Sequence, residues 1–466
     1  MDGVTKHLRA SEDKASMRSR PGFSVLEIFR RKVWGVRWYR ALGWAGMHSL
    51  LGLVLSFVTI KFTAAYLGPA GIALVAQLGS FVVICHGILG GGIAAATTRL
   101  SPEFGSDRAG RRRFLATSWH LGALFAVVSM VTIALASGPL AQRLLTSADH
   151  GTAIMLAGIA VACLVLNSVI VCAINAAGEI GRVVACHAIA SVIAIAVYVP
   201  ASVVWGIPGG LIGFAISQSV CLPVSLAVLR WSSSVAPEDF RGRFDPTQAR
   251  RILGFAPMLI VHSIMLPLGL ILIRDMVASH LGLATAGLWQ ATWRVSEIYL
   301  GVVMVSLALY FPARLGEVAG TPKLREEIVQ TLARVAGMAA AIALTIFLLR
   351  DWVVRIVFTE EFLPMRDLMP IQLLGDMFTV VAWTLGFVLI ALVRSHWYIA
   401  LEILIPAIYF GGAWYLVPEF GARGVTWAYC LAGATRVAIS VFALRDVLIQ
   451  GSGGSSNRRA SLSNLA

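Results

Sequence analysis

The sequence predicts an all-α fold, a polytopic membrane protein with about 12 transmembrane helices in two pseudo-symmetric six-helix lobes. The composition is 58% hydrophobic and only 13% charged, and the mean hydropathy is +0.79. Long apolar stretches recur from about Ala41 to about Leu448, and a helix of roughly 20 apolar residues can cross the hydrocarbon core of a bilayer. Lys and Arg are concentrated in every second gap between these stretches.

The order of apolar stretches and basic gaps predicts the topology. The predicted helices are 43–66, 71–95, 114–137, 152–176, 182–205, 208–230, 253–277, 284–311, 332–349, 368–393, 397–417 and 424–445. With the N-terminus inside, and with the terminal turn of each helix counted with the adjoining segment, the inner segments contain 29 Lys and Arg residues and the outer segments contain 6. Because basic residues are retained on the cytoplasmic side, both termini are predicted to be cytoplasmic. The net charge of +14 therefore indicates orientation and binding to membrane lipids, and no nucleic-acid partner is expected.

Changes in composition divide the chain into five predicted segments. Residues 1–40 form a basic cytoplasmic N-terminal extension without the apolar core of a signal peptide, and its first 20 residues are predicted to be disordered. From Phe23 to Arg40, apolar residues interleave with basic ones, as expected for an amphipathic juxtamembrane helix on an anionic leaflet. Residues 41–230 are predicted to form an N-terminal six-helix lobe, and residues 231–252 a basic cytoplasmic linker. Residues 253–448 are predicted to form a C-terminal six-helix lobe, and residues 449–466 a disordered cytoplasmic tail.

Two short motifs recur at nearly the same spacing. They are Leu67-Gly68 with Gln77 against Leu281-Gly282 with Gln290, and Gly206-x-x-Gly209 against Gly421-x-x-Gly424. The second copy of each motif follows the first at an almost constant offset, and all copies fall on the predicted outer side. This agreement predicts a duplication of six helices. Since six is even, the copies share one orientation, which places a transporter site between them near the midplane. A pseudo-symmetric channel is the competing interpretation.

The eighth predicted helix carries the most polar residues. Gln290, Arg294 and Glu297 lie at i, i+4 and i+7 and therefore share one face. Arg294 is predicted at the midplane, about 15 Å deep at about 1.5 Å per residue. Arg294 and Glu297 either neutralise each other as a structural pair or form a polar wall facing a watery cavity. Trp289 and Trp293 are expected either in the core or as platforms on which sugars stack.

The other charges inside predicted helices each have two interpretations. Lys61 and Arg436 either reach the headgroups with their long side chains or supply cations to a cavity. Asp376 and Glu402 lack a local basic partner in the sequence. Each is therefore protonated, paired across helices, or part of an ion-coupling site, since buried carboxyls with raised pKa values serve proton coupling.

The remaining features bear on gating and on enzymatic chemistry. Arg274 and Asp275, at the outer end of the seventh predicted helix, are expected to form an interfacial pair, with gating as the alternative. There is no G-x-x-x-x-G-K-[ST] nucleotide-binding motif and no catalytic grouping of Ser, His, Asp or Cys. The six cysteines lie apart in apolar stretches, without a metal-binding spacing. No enzyme activity, metal or cofactor is therefore predicted; an enzyme that modifies lipids would need the polar helix face as its active site.

These stretches resemble the Wzx-type flippases of lipid-linked oligosaccharides, within the superfamily of multidrug/oligosaccharidyl-lipid/polysaccharide exporters. The resemblance lies in Ile60–Gly71 with Gln77, Arg274-Asp275, Ala286–Tyr299, Gln372-x-x-Gly375-Asp376 onward to Trp383, and Ala400-Leu-Glu402. The N-terminal extension, residues 1–40, is longer than this family predicts. The resemblance implies a multi-pass protein of the bacterial inner membrane.

The resemblance also implies a substrate, an undecaprenyl-diphosphate-linked glycan moved from the inner to the outer leaflet for O-antigen, common-antigen or exopolysaccharide assembly. Lys61, Arg294 and Arg436 are then candidate cations for the diphosphate. Gln77, Gln290, Trp289 and Trp293 are candidate sugar contacts. A polymerase and a chain-length regulator of the same pathway are implied partners.

Charge and loop length distinguish this function from those of an antiporter and a polymerase. A multidrug antiporter of the same superfamily would favour an acidic cavity, whereas here Lys61, Arg294 and Arg436 balance Glu297, Asp376 and Glu402. A polysaccharide polymerase would show a long outer loop, and the longest here, near 350–367, is short. The identity of the glycan and of any driving ion is left open by the sequence.

Overall fold

The computed structural model describes residues 25–105, 107–318, 321 and 323–450, and every regular element in these ranges is helical. The predicted disorder of the first 20 residues and of the tail from Gly451 lies outside them. In chain order the α-helices are α1 (Val25–His86), α2 (Gly92–Leu100), α3 (Arg108–Leu135), α4 (Ser137–Leu144), α5 (Gly151–Ala176), α6 (Ile180–Ser219), α7 (Cys221–Leu229), α8 (Pro246–Leu253), α9 (Ala256–Leu281), α10 (Leu283–Val318), α11 (Leu324–Leu348), α12 (Arg350–Val357), α13 (Met369–Ala391), α14 (Ser395–Phe420), α15 (Ala422–Ala443) and α16 (Arg445–Gln450).

The described residues fall into two units, of which the second begins at Leu51. In the first, residues 25–50 are helical and form the start of α1, so the predicted helix from Phe23 to Arg40 is helical from Val25 onward. The contacts, burial and sites described below all belong to the second unit. A π-helical turn, Gly87–Gly91, joins α1 to α2 there.

Ten helical stretches of the described chain are long and apolar enough to cross a membrane. Two of them, Gly52–Phe104 and Ile180–Leu229, have 53 and 50 residues, about twice the length that one crossing needs. Each contains a glycine with positive φ, Gly68 at 62° and Gly206 at 58°, where the chain reverses. Each stretch therefore crosses twice, and the predicted fold of about twelve transmembrane helices is confirmed.

Four glycine turns repeat along the chain. Gly68, Gly206, Gly282 and Gly421 have φ values of 62°, 58°, 88° and 58° with extended ψ, a region that essentially only glycine occupies. They are the glycine of the Leu-Gly motif and the first glycine of the Gly-x-x-Gly motif, in both copies. The short helices α4 and α12 also correspond, because they are related by nearly the same offset as the motifs and each has 8 residues. The duplication is thus visible in backbone geometry.

The ends of the helix bundle differ in charge. We call the end with the four glycine turns and segments 136–150 and 349–368 the Gly68 end, and the opposite end, with segments 101–105, 177–179, 230–245 and 392–394, the basic end. Arginines of the basic end include Arg108, Arg112, Arg241, Arg243 and Arg250, all exposed.

The apolar cores follow the two halves of the chain. Of the five larger clusters of buried residues in the described chain, two are built from the N-terminal half, between Leu74 and Ile252, and two lie mainly in the C-terminal half, between Leu270 and Leu444. A fifth cluster joins the halves and contains Ile60, Ala64 and Ile72 together with Ala291 and Val295. The lobe limits at 41–230 and 253–448 remain predictions.

Candidate functional site

One face of α10 changes from buried to exposed along its length. At the Gly68 end, Gly287 lies so close to the first half that an added Cβ would stand 1.8 Å from the carbonyl oxygen of Pro69. Gln290, on the same face, is buried. Further along, Arg294, Glu297 and Gly301 are exposed. The two halves are therefore in contact at the Gly68 end, and the polar face of α10 is open from Arg294 toward the basic end.

Arg294 and Glu297 form an ion pair on this face. The Arg294 guanidinium lies 2.8 Å from Glu297 Oε2, and the side chains are 53% and 38% exposed. Glu297 also accepts a hydrogen bond of 2.9 Å from Trp293 Nε1. The sequence predicted the shared face and left open whether the pair is structural or functional. The geometry combines both interpretations, since the charges are paired and yet accessible.

Trp293 belongs to the core. Its ring is 8% exposed and contacts Trp289, Tyr409 and Tyr429 with centroid distances of 6.2, 6.4 and 5.3 Å. Of the two predicted roles, the core position is the one observed, and the ring packs against other aromatic rings. Trp293 acts on the polar face through its indole N–H, which fixes the Glu297 carboxylate.

Arg274 is the buried cation between the halves. Its side chain lies on α9, is 3% exposed, and donates to Gln290 Oε1 at 2.9 Å and to Ser80 Oγ at 3.2 Å. It also donates to Gln77 Oε1. The predicted interfacial pair of Arg274 with Asp275 is wrong. The guanidinium points to α1 and α10 because buried donors require acceptors, and the side-chain oxygens of these two helices supply them.

Lys61 joins the halves in a different way. Its ammonium group donates to the carbonyl oxygen of Arg355 at 3.0 Å and to that of Phe358. These carbonyls lie at the C-terminal end of α12, where helices leave acceptors unpaired. Neither of the two predicted roles, reaching the headgroups or a cavity cation, describes this arrangement.

Asp376 is fully buried on α13 and bound by hydroxyl groups. It accepts hydrogen bonds of 2.6 Å from Ser296, 2.7 Å from Tyr299 and 3.0 Å from Tyr429. Within the described chain no Lys or Arg nitrogen lies within 4.0 Å of this carboxyl group. Ser296 and Tyr299 project from the side of α10 opposite Arg294, at about 100° per residue, so Asp376 and the polar face flank the same helix.

Glu402 and Arg436 pair across helices, one of the three outcomes predicted for Glu402. The guanidinium of Arg436, on α15, lies 2.6 Å from Glu402 Oε1, on α14, and both side chains are mostly buried. The interpretation of Arg436 as a cation that reaches the headgroups does not fit this geometry. In this conformation neither residue offers an unpaired charge to a substrate.

Sequence reasoning missed the hydroxyl groups that complete the site. Ser80, Ser296, Tyr299 and Tyr429 have no distinctive spacing relative to Arg274 or Asp376, and their partners lie 53 to 194 residues away. Ser296 and Tyr299 lie within the motif Ala286–Tyr299 that carried the family resemblance. The motif could therefore have pointed to Ser296 and Tyr299, but not to Ser80 or Tyr429.

The fold is one of known membrane transporters. A multidrug transporter of the MATE family, in the MOP superfamily, solved in an inward-facing conformation, matches 88% of this chain and 96% of its own with a TM-score of 0.74 and 15% identity. The lipid II flippase MurJ in an inward closed conformation matches 87% of both chains with a TM-score of 0.67 and 12% identity. The two-lobed, twelve-helix fold of the MOP superfamily is thus established for this chain.

Sequence comparison gives a narrower family. The model of the family described as polysaccharide biosynthesis protein matches residues 40–314, more than half of the chain. The chain belongs to this polysaccharide biosynthesis protein family. The lipid III flippase of Escherichia coli (strain K12) is 24% identical over 388 residues, covering 83% of this chain and 93% of its own. These findings confirm the resemblance to the lipid-linked oligosaccharide branch of the superfamily.

Proposed function

We propose that the protein is a flippase that moves an undecaprenyl-diphosphate-linked oligosaccharide from the inner to the outer leaflet of the bacterial inner membrane. The glycan would enter O-antigen or exopolysaccharide assembly, where a polymerase and a chain-length regulator are the expected partners. The similarity to the lipid III flippase over most of both chains supports this substrate class. Both termini and the basic end are proposed to face the cytoplasm.

The observation that carries the proposal is the charge at the contact between the halves. Arg274 is buried between the halves, and its hydrogen-bond partners Gln290, Gln77 and Ser80 are neutral. Arg294 contacts Glu297 on the exposed part of α10, so within the described chain these two guanidinium groups have one carboxylate contact between them. A net positive group suits an anionic diphosphate, because charge-assisted hydrogen bonds to phosphate are strong. A multidrug antiporter for cationic drugs, the alternative within the same fold, would favour an excess of carboxylates.

Alternating access between the halves supplies a mechanism. The halves are in contact at the Gly68 end, and the face of α10 is exposed from Arg294 toward the basic end. This arrangement corresponds to a conformation open toward the basic end. In the proposed cycle the diphosphate enters beside Arg294 while the polyprenyl tail stays in the lipid, and the halves then separate at the Gly68 end. Burial of the head group between the halves keeps its charges away from hydrocarbon, where a charge would be costly.

The test removes the accessible cation. In a bacterial strain lacking its own flippase for lipid-linked oligosaccharide, Arg294→Ala should reduce glycan export about 10-fold to 100-fold, the value of one charge-assisted hydrogen bond. Arg294→Lys should restore export only in part, because a point charge lacks the guanidinium fork. Arg143→Ala, at an exposed arginine of α4, is the matched control. Full export by Arg294→Ala at normal protein levels would contradict the proposal.

A further inference from the structure

Arg274 is a buried cation whose observed ligands are all neutral. Gln290 belongs to the same half as Arg274, whereas Gln77 and Ser80 come from the other half of the molecule. In the described chain no carboxylate lies within 4.0 Å of its guanidinium. A buried charge without a counter-ion is unfavourable, so the geometry leaves this guanidinium able to gain energy from an anion.

The ligands of Arg274 divide at the surface where the halves meet. Separation of the halves at the Gly68 end would remove Gln77 and Ser80 from Arg274 and leave Gln290 in place. Arg274 lies eight residues before Gly282, which corresponds to a depth of about 12 Å at about 1.5 Å per residue. It is therefore inside the membrane span, beyond the reach of bulk water in the closed arrangement.

We propose that Arg274 binds either the opposite half of the protein or the diphosphate of the lipid-linked substrate, and that these two states exclude each other. This inference rests on the proposed function, and it makes Arg274 a second residue, besides Arg294, that binds the diphosphate. The planar fork of the guanidinium matches phosphate oxygens, which replace the oxygens of Gln77 and Ser80. Binding of the head group to Arg274 thus releases the contact at the Gly68 end and favours opening there.

The mutual exclusion predicts opposite effects for two neighbouring substitutions. Arg274→Gln removes the cation, so binding of the diphosphate should weaken about 10-fold or more. Gln77→Leu removes the competing ligand at nearly constant volume, so the same diphosphate should bind more tightly. If Gln77 were a sugar contact only, its substitution would leave a probe without sugar unaffected.

The experiment measures binding and distance on one sample. Variants in a cysteine-free background carry spin labels at Arg143→Cys and Glu419→Cys, which are exposed at the Gly68 end in different halves. The probes are a short-chain polyprenyl diphosphate, the corresponding alcohol and inorganic pyrophosphate. In the parent protein the lipid diphosphate should lengthen the distance between labels, whereas the alcohol and pyrophosphate should not. In Gln77→Leu the distance should be longer without any probe, and Gln218→Leu, on α6, is the control.

The outcomes separate this inference from the proposed function. Absence of binding of the lipid diphosphate to the parent protein would overturn the proposed function. Normal binding to the parent together with normal binding to Arg274→Gln, or unchanged binding to Gln77→Leu, would overturn the role of Arg274 alone. Opening by pyrophosphate as strong as that by the lipid diphosphate would assign the site to a free diphosphate and also overturn it. Arg274→Lys, which keeps the charge, should bind better than Arg274→Gln and so excludes a folding defect as the cause.

Discussion

At the scale of single residues, Asp376 is linked to the polar face of α10 by aromatic contacts. Tyr429 donates to Asp376 and its ring lies at 5.3 Å, edge to face, from Trp293. Trp293 in turn donates to Glu297, the partner of Arg294. A change in charge at Asp376 would therefore change the hydrogen bond that the Tyr429 hydroxyl donates to it. The Trp293 indole, which holds Glu297, lies against the Tyr429 ring.

Substitution of Asp376 tests ion coupling. In reconstituted vesicles, Asp376→Asn should remove the response of glycolipid movement to a proton or sodium gradient. The amide of Asn does not ionise, and it has nearly the size of the carboxyl group that it replaces. Binding of the lipid-linked substrate should stay within about threefold, a change below about 1 kcal/mol. Glu402→Gln is the comparison, since Glu402 is paired with Arg436 and its loss should leave the gradient response unchanged. A retained gradient response in Asp376→Asn would exclude this carboxyl as the coupling group.

At the scale of helices, one contact between the halves is of backbone to backbone. Gly287 of α10 faces the carbonyl group of Pro69, and a Cβ atom has no space there. Lys61 strengthens the same contact by binding the carbonyls at the end of α12. Side-chain rearrangement cannot relieve an overlap with main-chain atoms, so this contact depends on the absence of a side chain at position 287.

A single methyl group at this contact should open the Gly68 end. In Gly287→Ala, a cysteine placed at the buried residue Ala64 should react with a membrane-impermeant maleimide at least about 10-fold faster, which corresponds to about 1.4 kcal/mol. Gly301→Ala is the matched control, because a Cβ at Gly301, on the same helix, meets nothing within 4 Å. Equal labelling rates in the two variants would show that the halves are not held closed at Gly287.

At the scale of the whole molecule, two corresponding turns at the basic end are each held by a charged side chain, which is acidic in one half and basic in the other. Gly178 and Val393 occupy equivalent positions in the two halves, and both have positive φ, at 79° and 56°. The next residue in each case, Glu179 or Arg394, binds the segment that follows α7 or α15 in its own half. Glu179 accepts from Ser232, Ser233 and the amide of Ser234, whereas Arg394 binds Asp446.

The fastening by Glu179 has a defined pH dependence. Partial burial raises the pKa of Glu179, but hydrogen bonds from Ser232, Ser233, Ser234 and Arg182 lower it overall to about 2. A lowered pKa stabilises the folded state fully above the unfolded value of about 4.3, and this stabilisation is lost as the pH falls toward 2. Glu179→Gln should therefore lower the melting temperature at pH 7, and the difference from the parent should shrink at pH 3. Asp149→Gln, at an exposed carboxyl group of the Gly68 end, is the control. A difference independent of pH would contradict the assigned charge.

The features that the sequence predicted depend on short stretches of chain. The apolar stretches predicted the crossings, and the glycine motifs at an almost constant offset predicted the duplication. The turns at these glycines repeat in both halves because positive φ selects glycine locally. The helical period brought Gln290, Arg294 and Glu297 onto one face. The pairing of Glu402 with Arg436 was only one of three outcomes, since it depends on how α14 packs against α15.

The contacts that sequence reasoning did not find join distant parts of the chain. Gln77 and Arg274 are 197 residues apart, and nothing in either neighbourhood specifies the other. Lys61 binds backbone carbonyls, which every residue possesses, so its partners leave no trace in the sequence. The hydroxyl ligands of Asp376 are likewise common residues whose role arises only from helix packing.

The glycine turns also bear on how the chain enters the membrane during synthesis. Because Gly282 and Gly421 each form the entire connection between two helices, and Gly68 and Gly206 reverse the chain within continuous helical stretches, these pairs can enter the bilayer as hairpins. A hairpin of this kind carries no polar loop through hydrocarbon, where unpaired backbone groups are costly. In the proposed orientation, with the Gly68 end outside, the longer polar segments of the described chain to be translocated are 136–150 and 349–368. In this orientation each half has one such segment to translocate, at corresponding positions.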